Sequence, residues 1–135
     1  MQPLILSYNF PAKYLSKLRM IAMKCGARVR VVEKPEYLDP IGSLCGVCGA
    51  FETMYDGEGF PGLMLVLAHF SDAQLSGFLQ ALRASKLPPI ALKAVLTEEN
   101  KGWNSLELHE ALLAEHTAMQ SGAPIHEQSG PSENS

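Results

Sequence analysis

The spacing of apolar residues changes several times along the chain, between the patterns of strands and of helices. Short runs rich in β-branched or aliphatic residues predict strands, and longer stretches with one apolar stripe predict amphipathic helices. Gly26 and Pro88–Pro89 are typical of helix ends. The predicted order is strand 4–8, helix 11–25, strand 28–32, a short helical turn 41–44, strand 63–68, helix 72–87, strand 90–96 and a last helix ending near 119.

Two of these helices carry capping signals at their starts. Gln74 stands three residues after Ser71, and Glu107 stands three residues after Asn104. This spacing predicts a capping box, in which each side chain bonds the other residue's backbone N–H.

The two halves of the chain show the same order of features. Phe10 and Phe70 each stand between a strand and an apolar helix, and a small gap then aligns Arg30 with Lys93. This repeat predicts an α+β fold of duplicated β-α-β units on the ferredoxin-like plan. We expect a four-stranded antiparallel sheet with the first strand of each half at its centre. Helices would lie on one face, with an extra C-terminal helix.

Composition divides the chain into one domain and a tail. Residues 1–120 predict a single α/β domain with halves 1–44 and 63–119. A Gly-rich connection, 45–62, joins them, and such long connections are usually functional or mobile. Residues 121–135 are polar and rich in Gly, Pro and Ser, which predicts a disordered tail.

The third predicted strand, 63–68, is apolar on both faces. A sheet with one solvated face would alternate with polar residues. Something must therefore cover the second face: the last helix, the Gly-rich connection or another subunit. We predict a homo-oligomer, and the alternative is that the last helix folds back over the sheet.

Charge and hydropathy exclude some functions and locations. The formal net charge of −3 and the scattered lysines and arginines argue against nucleic-acid binding. The start of the chain lacks a signal-peptide pattern, and no apolar run has the length of a membrane span. We therefore expect a bacterial-type cytoplasmic protein without a membrane partner.

The most distinctive segment lies around the fourth predicted strand. Lys93 is a cation inside an apolar strand, so it is either a ligand-binding residue or a charge that protects a sheet edge. Together with Arg30, Thr97 and Asn100, it is predicted to bind a small anion near the long connection. Thr97 and Asn100 are alternatively turn and cap residues, and Trp103 is either a ligand-stacking ring or a hydrophobic plug.

This same segment carries a resemblance to a known family. The run 91–97, then Asn100 and Trp103, followed by Leu108 and Leu112, resembles a bacterial domain of unknown function, number 3783. The resemblance extends from Leu63 to about Thr117. It implies a domain of that family in the second half of the chain and carries no activity with it.

Cysteine spacing offers a second kind of site. Cys45 and Cys48 have the spacing of half a zinc site or of a redox pair, and Cys25 is a candidate third ligand. The pair lies in a Gly-rich loop rather than at a helix start, and a second pair is missing. Ordinary reduced thiols are therefore the favoured interpretation over a metal site.

The histidines give weaker signals. His109 and His116 lie seven residues apart on the last predicted helix, which favours a polar face over a metal site. His69 follows the third strand at the position that matches Asn9 in the first half, and a structural role is the safer interpretation.

Three functions follow from these features. The first is a non-catalytic regulatory or ligand-binding module that oligomerises and binds a small anion; its cofactor, if any, is unknown. The second is a metal- or thiol-redox-linked protein that uses Cys45 and Cys48. An enzyme ranks last, because the sequence shows no recognisable catalytic set.

Overall fold

A computed structural model describes residues 2–46 and 54–120. The chain folds as α+β, with one four-stranded sheet in the order β2-β1-β3-β4. The strands are β1 (Leu4–Tyr8), β2 (Arg28–Val31), β3 (Met64–Ala68) and β4 (Leu92–Val95). The helices are α1 (Ala12–Lys24), α2 (Ile41–Leu44), α3 (Asp72–Ala84) and α4 (Ser105–Gln120).

The sheet is mixed, so the expectation of a fully antiparallel sheet was wrong. β1 pairs parallel with β2, and β3 pairs parallel with β4. Only the central pair, β1 with β3, is antiparallel. α1 and α3 therefore each return the chain to the strand next to the one before it, whereas the ferredoxin-like plan places a strand of the other half between those two strands. The prediction that β1 and β3 form the centre is confirmed.

The two β-α-β units have matching dimensions. β1 and β3 each have five residues, and α1 and α3 each have 13. Asn9 and His69, directly after the two central strands, share a φ of 67°, which places both in the left-handed region. The internal duplication itself stays a prediction.

The register corrects the predicted match between Arg30 and Lys93. Arg30 lies opposite Leu6 of β1, whereas Lys93 lies opposite Leu65 of β3. Leu65 in turn lies opposite Ser7, one residue beyond Leu6. Because side chains alternate between faces along a strand, Arg30 and Lys93 lie on opposite faces of the sheet. The assumed gap was one residue too short.

One face of the sheet, here called the helix face, is covered by α1 and α3. Leu18 of α1 and Phe78 of α3 are fully buried against it. Ser71 caps α3 through the predicted capping box with Gln74. Ser85, rather than the prolines further on, ends this helix: its Oγ bonds the Leu82 carbonyl at 2.7 Å. Leu18 and Phe78 pack with the buried strand side chains of this face, Ile5, Leu65 and Leu67.

The opposite face, here called the aromatic face, is covered by α2, α4 and the segment before β3. Tyr8, Tyr37 and Phe60 pack there, with ring centroids 5.0 to 5.7 Å apart. Leu108 of α4 is buried in the same cluster. The capping box of Asn104 and Glu107 opens α4, as predicted. The chain itself therefore covers the second apolar face, which was the alternative to covering by another subunit.

Within residues 2–46 and 54–120, none of the helices combines the length and the apolar character that crossing a membrane requires.

Candidate functional site

A hollow lined by two basic side chains lies on the helix face beside β4. It has a volume of about 480 Å³ and is here called the Lys93 pocket. α3 supplies one wall, the segment before β4 supplies the floor, and the strand itself contributes Lys93. Its lining residues are Leu79, Leu82, Arg83, Leu87, Pro88, Pro89, Ile90, Ala91 and Lys93.

Local sequence explains how this pocket forms. Leu79, Leu82 and Arg83 are three and four residues apart, so they share one side of α3. After Ser85 ends the helix, Pro88 and Pro89 keep the chain extended until β4 begins. This connection and the exposed end of α3 together line the hollow.

Two cations line this otherwise apolar pocket. The Lys93 ammonium donates a hydrogen bond to the Ile90 carbonyl. Its partial burial, and next the nearby charge of Arg83, lower the pKa of Lys93 below its usual range. Ion pairs in the described part of the chain join Arg30 to Glu36 and Lys101 to Glu98, so no carboxylate there neutralises Lys93 or Arg83.

Arg30 lies on the opposite face of the sheet from the Lys93 pocket and has a structural role. On the aromatic face, its guanidinium donates to the Leu44 carbonyl at 2.7 Å and to Glu36 at 2.5 Å. It thereby holds α2 and the preceding 3-10 turn, Lys34–Glu36, against the sheet edge. The predicted anion site that combined Arg30 with Lys93 does not form, because the sheet separates them.

Thr97 and Asn100 bond each other instead of facing a ligand. The Asn100 side chain accepts from the Thr97 backbone at 2.9 Å, and the Thr97 hydroxyl accepts from the Asn100 backbone at 3.0 Å. The Asn100 amide also donates to the Val95 carbonyl at 3.0 Å. The turn-and-cap interpretation therefore describes this pair, in which Asn100 is buried and Thr97 is exposed, and neither residue lines the Lys93 pocket.

Trp103 joins two covering elements of the aromatic face. Its half-buried ring packs against the core there, and its carbonyl accepts from the Ile41 backbone at 2.7 Å. Pro40 and Asn104 form a bridge beside it. These contacts fit the plug interpretation and leave Trp103 outside the Lys93 pocket.

The cysteines do not assemble within the described residues. Cys45 is buried in the aromatic-face core, and its carbonyl accepts from His69 Nε2 at 3.1 Å. Cys25 packs into the helix-face core, so the sheet lies between the two thiols. Residues 2–46 and 54–120 hold no group of three metal-ligating side chains. Cys48 lies outside the described residues, so the Cys45–Cys48 pair stays a prediction.

A second, shallower hollow of about 490 Å³ lies on α4. There the His109 ring stacks on Phe60 with centroids 3.8 Å apart and an angle of 11° between the planes. Burial lowers the pKa of His109. Glu107 borders this hollow, but its carboxylate already bonds the Asn104 backbone. Sequence spacing had placed His109 on a solvated polar face, and the stacking ring was missed.

Asn9 and His69, the two residues with left-handed backbone after β1 and β3, bond the backbone of the aromatic face through their side chains. The Asn9 amide donates to the Phe60 carbonyl at 2.6 Å and to the Gly62 carbonyl at 2.8 Å. His69 bonds the Cys45 carbonyl in the same manner. Both side chains fasten the covering segments of the aromatic face to the ends of the central strands, which is the structural role expected for His69.

Comparison with known proteins adds one finding to this geometry. Residues 63–119 match a family model described as Domain of unknown function (DUF3783). The match spans less than half of the 135 residues and includes every residue that lines the Lys93 pocket. Comparison with curated proteins and with solved structures gives no match.

Arg83 is the site residue that sequence reasoning missed. It stands four residues after Leu79 and ten before Lys93. The helical pattern therefore contained Arg83 and the strand pattern contained Lys93, and neither pattern related the two residues. A basic residue at the end of a helix is usually explained by the helix dipole. Only the crossover from α3 to β4 brings the two cations to one pocket.

Proposed function

We propose that this protein is a non-catalytic binding module that holds a small anionic ligand in the Lys93 pocket. One observation carries the proposal: two cations without a carboxylate partner in the described residues line one largely apolar hollow. Pockets that bind small molecules are typically apolar, with few polar groups that fix the ligand's orientation.

The lining supports binding rather than catalysis. It contains no carboxylate, thiol, hydroxyl or imidazole among its side chains. Lys93 is the one lining side chain that could take part in acid–base or nucleophilic chemistry, and its amine is bonded to the Ile90 carbonyl with no second such group beside it in the lining. Lys93 and Arg83 supply positive charge and hydrogen-bond donors, which suits recognition of an anion.

A titration of the full-length protein tests the proposal. Octanoate, benzoate, inorganic phosphate and adenosine monophosphate are added separately, and heat release and backbone amide shifts are followed. We expect at least one anion to bind and to shift the signals of residues 79–93. Lys93→Met should weaken that binding about tenfold, the effect of one charge-assisted contact.

Lys86→Met provides the matched control. Lys86 is exposed on the same connection and does not line the pocket, so its replacement should leave affinity unchanged. Binding of no anion, or equal loss in both variants, would overturn the proposal.

Oligomerisation is a separate proposal that rests on a different feature. The order of the sheet leaves β2 and β4 at its edges, where strands of a second copy can pair. Sedimentation of the full chain tests it: a concentration-dependent dimer supports edge pairing, and a monomer at every concentration rejects it.

A further inference from the structure

The walls of the Lys93 pocket are aliphatic on every side. Leucine, isoleucine, proline and alanine side chains provide all of the apolar lining, and no aromatic ring contributes to it. Planar ligands such as nucleobases usually stack on aromatic or guanidinium faces. Of these, only Arg83 is present, so the pocket offers little to a flat ring and much to a flexible hydrocarbon chain.

Apart from the two cations, the lining has no side chain that forms hydrogen bonds, and some of its backbone groups are missing or already bonded. Pro88 and Pro89 have no N–H to donate. The Leu87 N–H donates to Ser85 Oγ at 3.2 Å, and the Ile90 carbonyl accepts from Lys93. A sugar or a nucleobase would find no side-chain partners in this lining besides the two cations, which disfavours such ligands.

The small number of backbone N–H donors in this pocket also favours a carboxylate ligand over a phosphate. Phosphate sites in proteins commonly cradle the oxygens with several backbone N–H groups of a loop or a helix N-terminus. Here the helix end next to the pocket is the C-terminal one, where Arg83 stands, and two neighbouring residues are prolines. Two side-chain cations match the two oxygens of one carboxylate.

We infer that the ligand of the Lys93 pocket is an aliphatic monocarboxylate. Its carboxylate lies between Lys93 and Arg83, and its hydrocarbon chain packs against the leucines of α3 and against Ile90. This inference rests on the proposed function and adds the chemical class of the ligand. It predicts that affinity depends on both ends of the molecule.

A chain-length series tests the hydrocarbon end. Butyrate, hexanoate and octanoate are titrated into the full-length protein, and we expect affinity to rise about fourfold for each methylene that is buried. Lys93→Met should lower the affinity of all three acids while the increase per methylene persists. Affinity that does not change with chain length would overturn the inference.

Head-group variants of one chain length test the other end. We expect octanoate to bind more tightly than octanol and octanol more tightly than octylamine, because the two cations attract only the carboxylate. Ala91→Phe adds a ring at an exposed lining position and should weaken octanoate more than butyrate.

These outcomes distinguish the two proposals. Tighter binding of benzoate, phosphate or adenosine monophosphate than of octanoate would overturn the aliphatic class while the anion-binding function stands. Binding of none of the anions would remove both. Equal effects of Ala91→Phe on octanoate and butyrate would place the hydrocarbon chain elsewhere and overturn the inference.

Discussion

The two faces of the sheet bury similar strand side chains but are covered by different means. On the helix face, α1 and α3 pack aliphatic and aromatic side chains such as Leu18 and Phe78 against the strands. On the aromatic face, shorter segments and α4 are fastened by side-chain hydrogen bonds, including one of 2.7 Å between Tyr8 and Ser105. The open pocket with two cations lies on the helix face, and the cation paired with Glu36 lies on the other.

Backbone hydrogen bonding explains this difference. A helix satisfies its own N–H and C=O groups, so it covers a sheet with apolar contacts alone. Irregular segments expose backbone groups that need partners, and Asn9, Arg30 and His69 each supply them. Polar side chains on the aromatic face are therefore committed to structure, whereas Lys93 on the helix face keeps donors for a ligand.

The largest expected effect is the loss of packing on the helix face. Phe78 is fully buried, so Phe78→Ala should lower the free energy of unfolding by about 3–5 kcal/mol. Urea denaturation followed by circular dichroism measures it. Met23→Ala on the exposed side of α1, where the residue is 72% exposed, is the control and should change stability little. A Phe78 variant as stable as this control would mean that α3 does not pack as described.

The second largest effect on stability should come from the hydrogen bond between Tyr8 and Ser105 on the aromatic face. Burial raises the pKa of Tyr8, whose hydroxyl bonds Ser105. Tyr8→Phe should cost about 1–3 kcal/mol of unfolding free energy, because the Ser105 hydroxyl stays buried without that partner. The double variant Tyr8→Phe, Ser105→Ala removes both groups and should recover part of the loss. No difference between single and double variants in urea denaturation would contradict the bond's role.

Arg30 and Lys93 should respond in opposite ways to the same substitution. Arg30→Met leaves the Leu44 carbonyl without its donor and should cost about 1–3 kcal/mol of unfolding free energy. The ion pair with Glu36 adds little, because the Arg30 side chain is 39% exposed. Lys93→Met should change stability by less than about 0.5 kcal/mol and should weaken octanoate binding. Urea denaturation of both variants measures the change in unfolding free energy, and titration with octanoate measures the change in affinity. Equal changes of the two variants in both assays would contradict this expectation.

The smallest expected effect is a pH dependence on the aromatic face. Burial lowers the pKa of His109 in the folded state below the ordinary histidine value of 6.5. The unfolded chain therefore binds the proton more readily, and stability should fall as the pH drops from 6.5 through the folded-state pKa. His109→Gln should reduce this slope in urea denaturation. A rise in stability at low pH would instead show that an imidazolium stacked on Phe60 outweighs burial.

Local patterns predicted the elements closely because their causes are local. β1 and α2 occur at the predicted residues, and both capping boxes form with backbone–side-chain distances of 2.9 to 3.1 Å. Thr97 and Asn100 likewise bond within four residues of each other. Such contacts depend only on residue type and spacing, so the sequence contains all that they need.

The candidate site was predicted only in part, since it depends on contacts between distant segments. Lys93 was identified from its charge within an apolar strand, but its partner Arg83 was not. Arg30 was assigned to the same site through a gap that the register shows to be one residue too short. A shift of one residue in register moves a side chain to the other face of the sheet. Aligning the sequences of the two halves therefore cannot decide on which face a cation lies unless the pairing of the strands is known.

The sequence by itself determined which segments form strands and helices, where two helices begin, and that both faces of β3 are buried. These properties follow from apolar periodicity and from capping over three or four residues. The tertiary structure alone decided that the outer strand pairs are parallel and that the chain's own α4 and α2 cover the second face. It also decided that Arg83 meets Lys93 at an open pocket, because strand order, register and crossover depend on how the whole core packs.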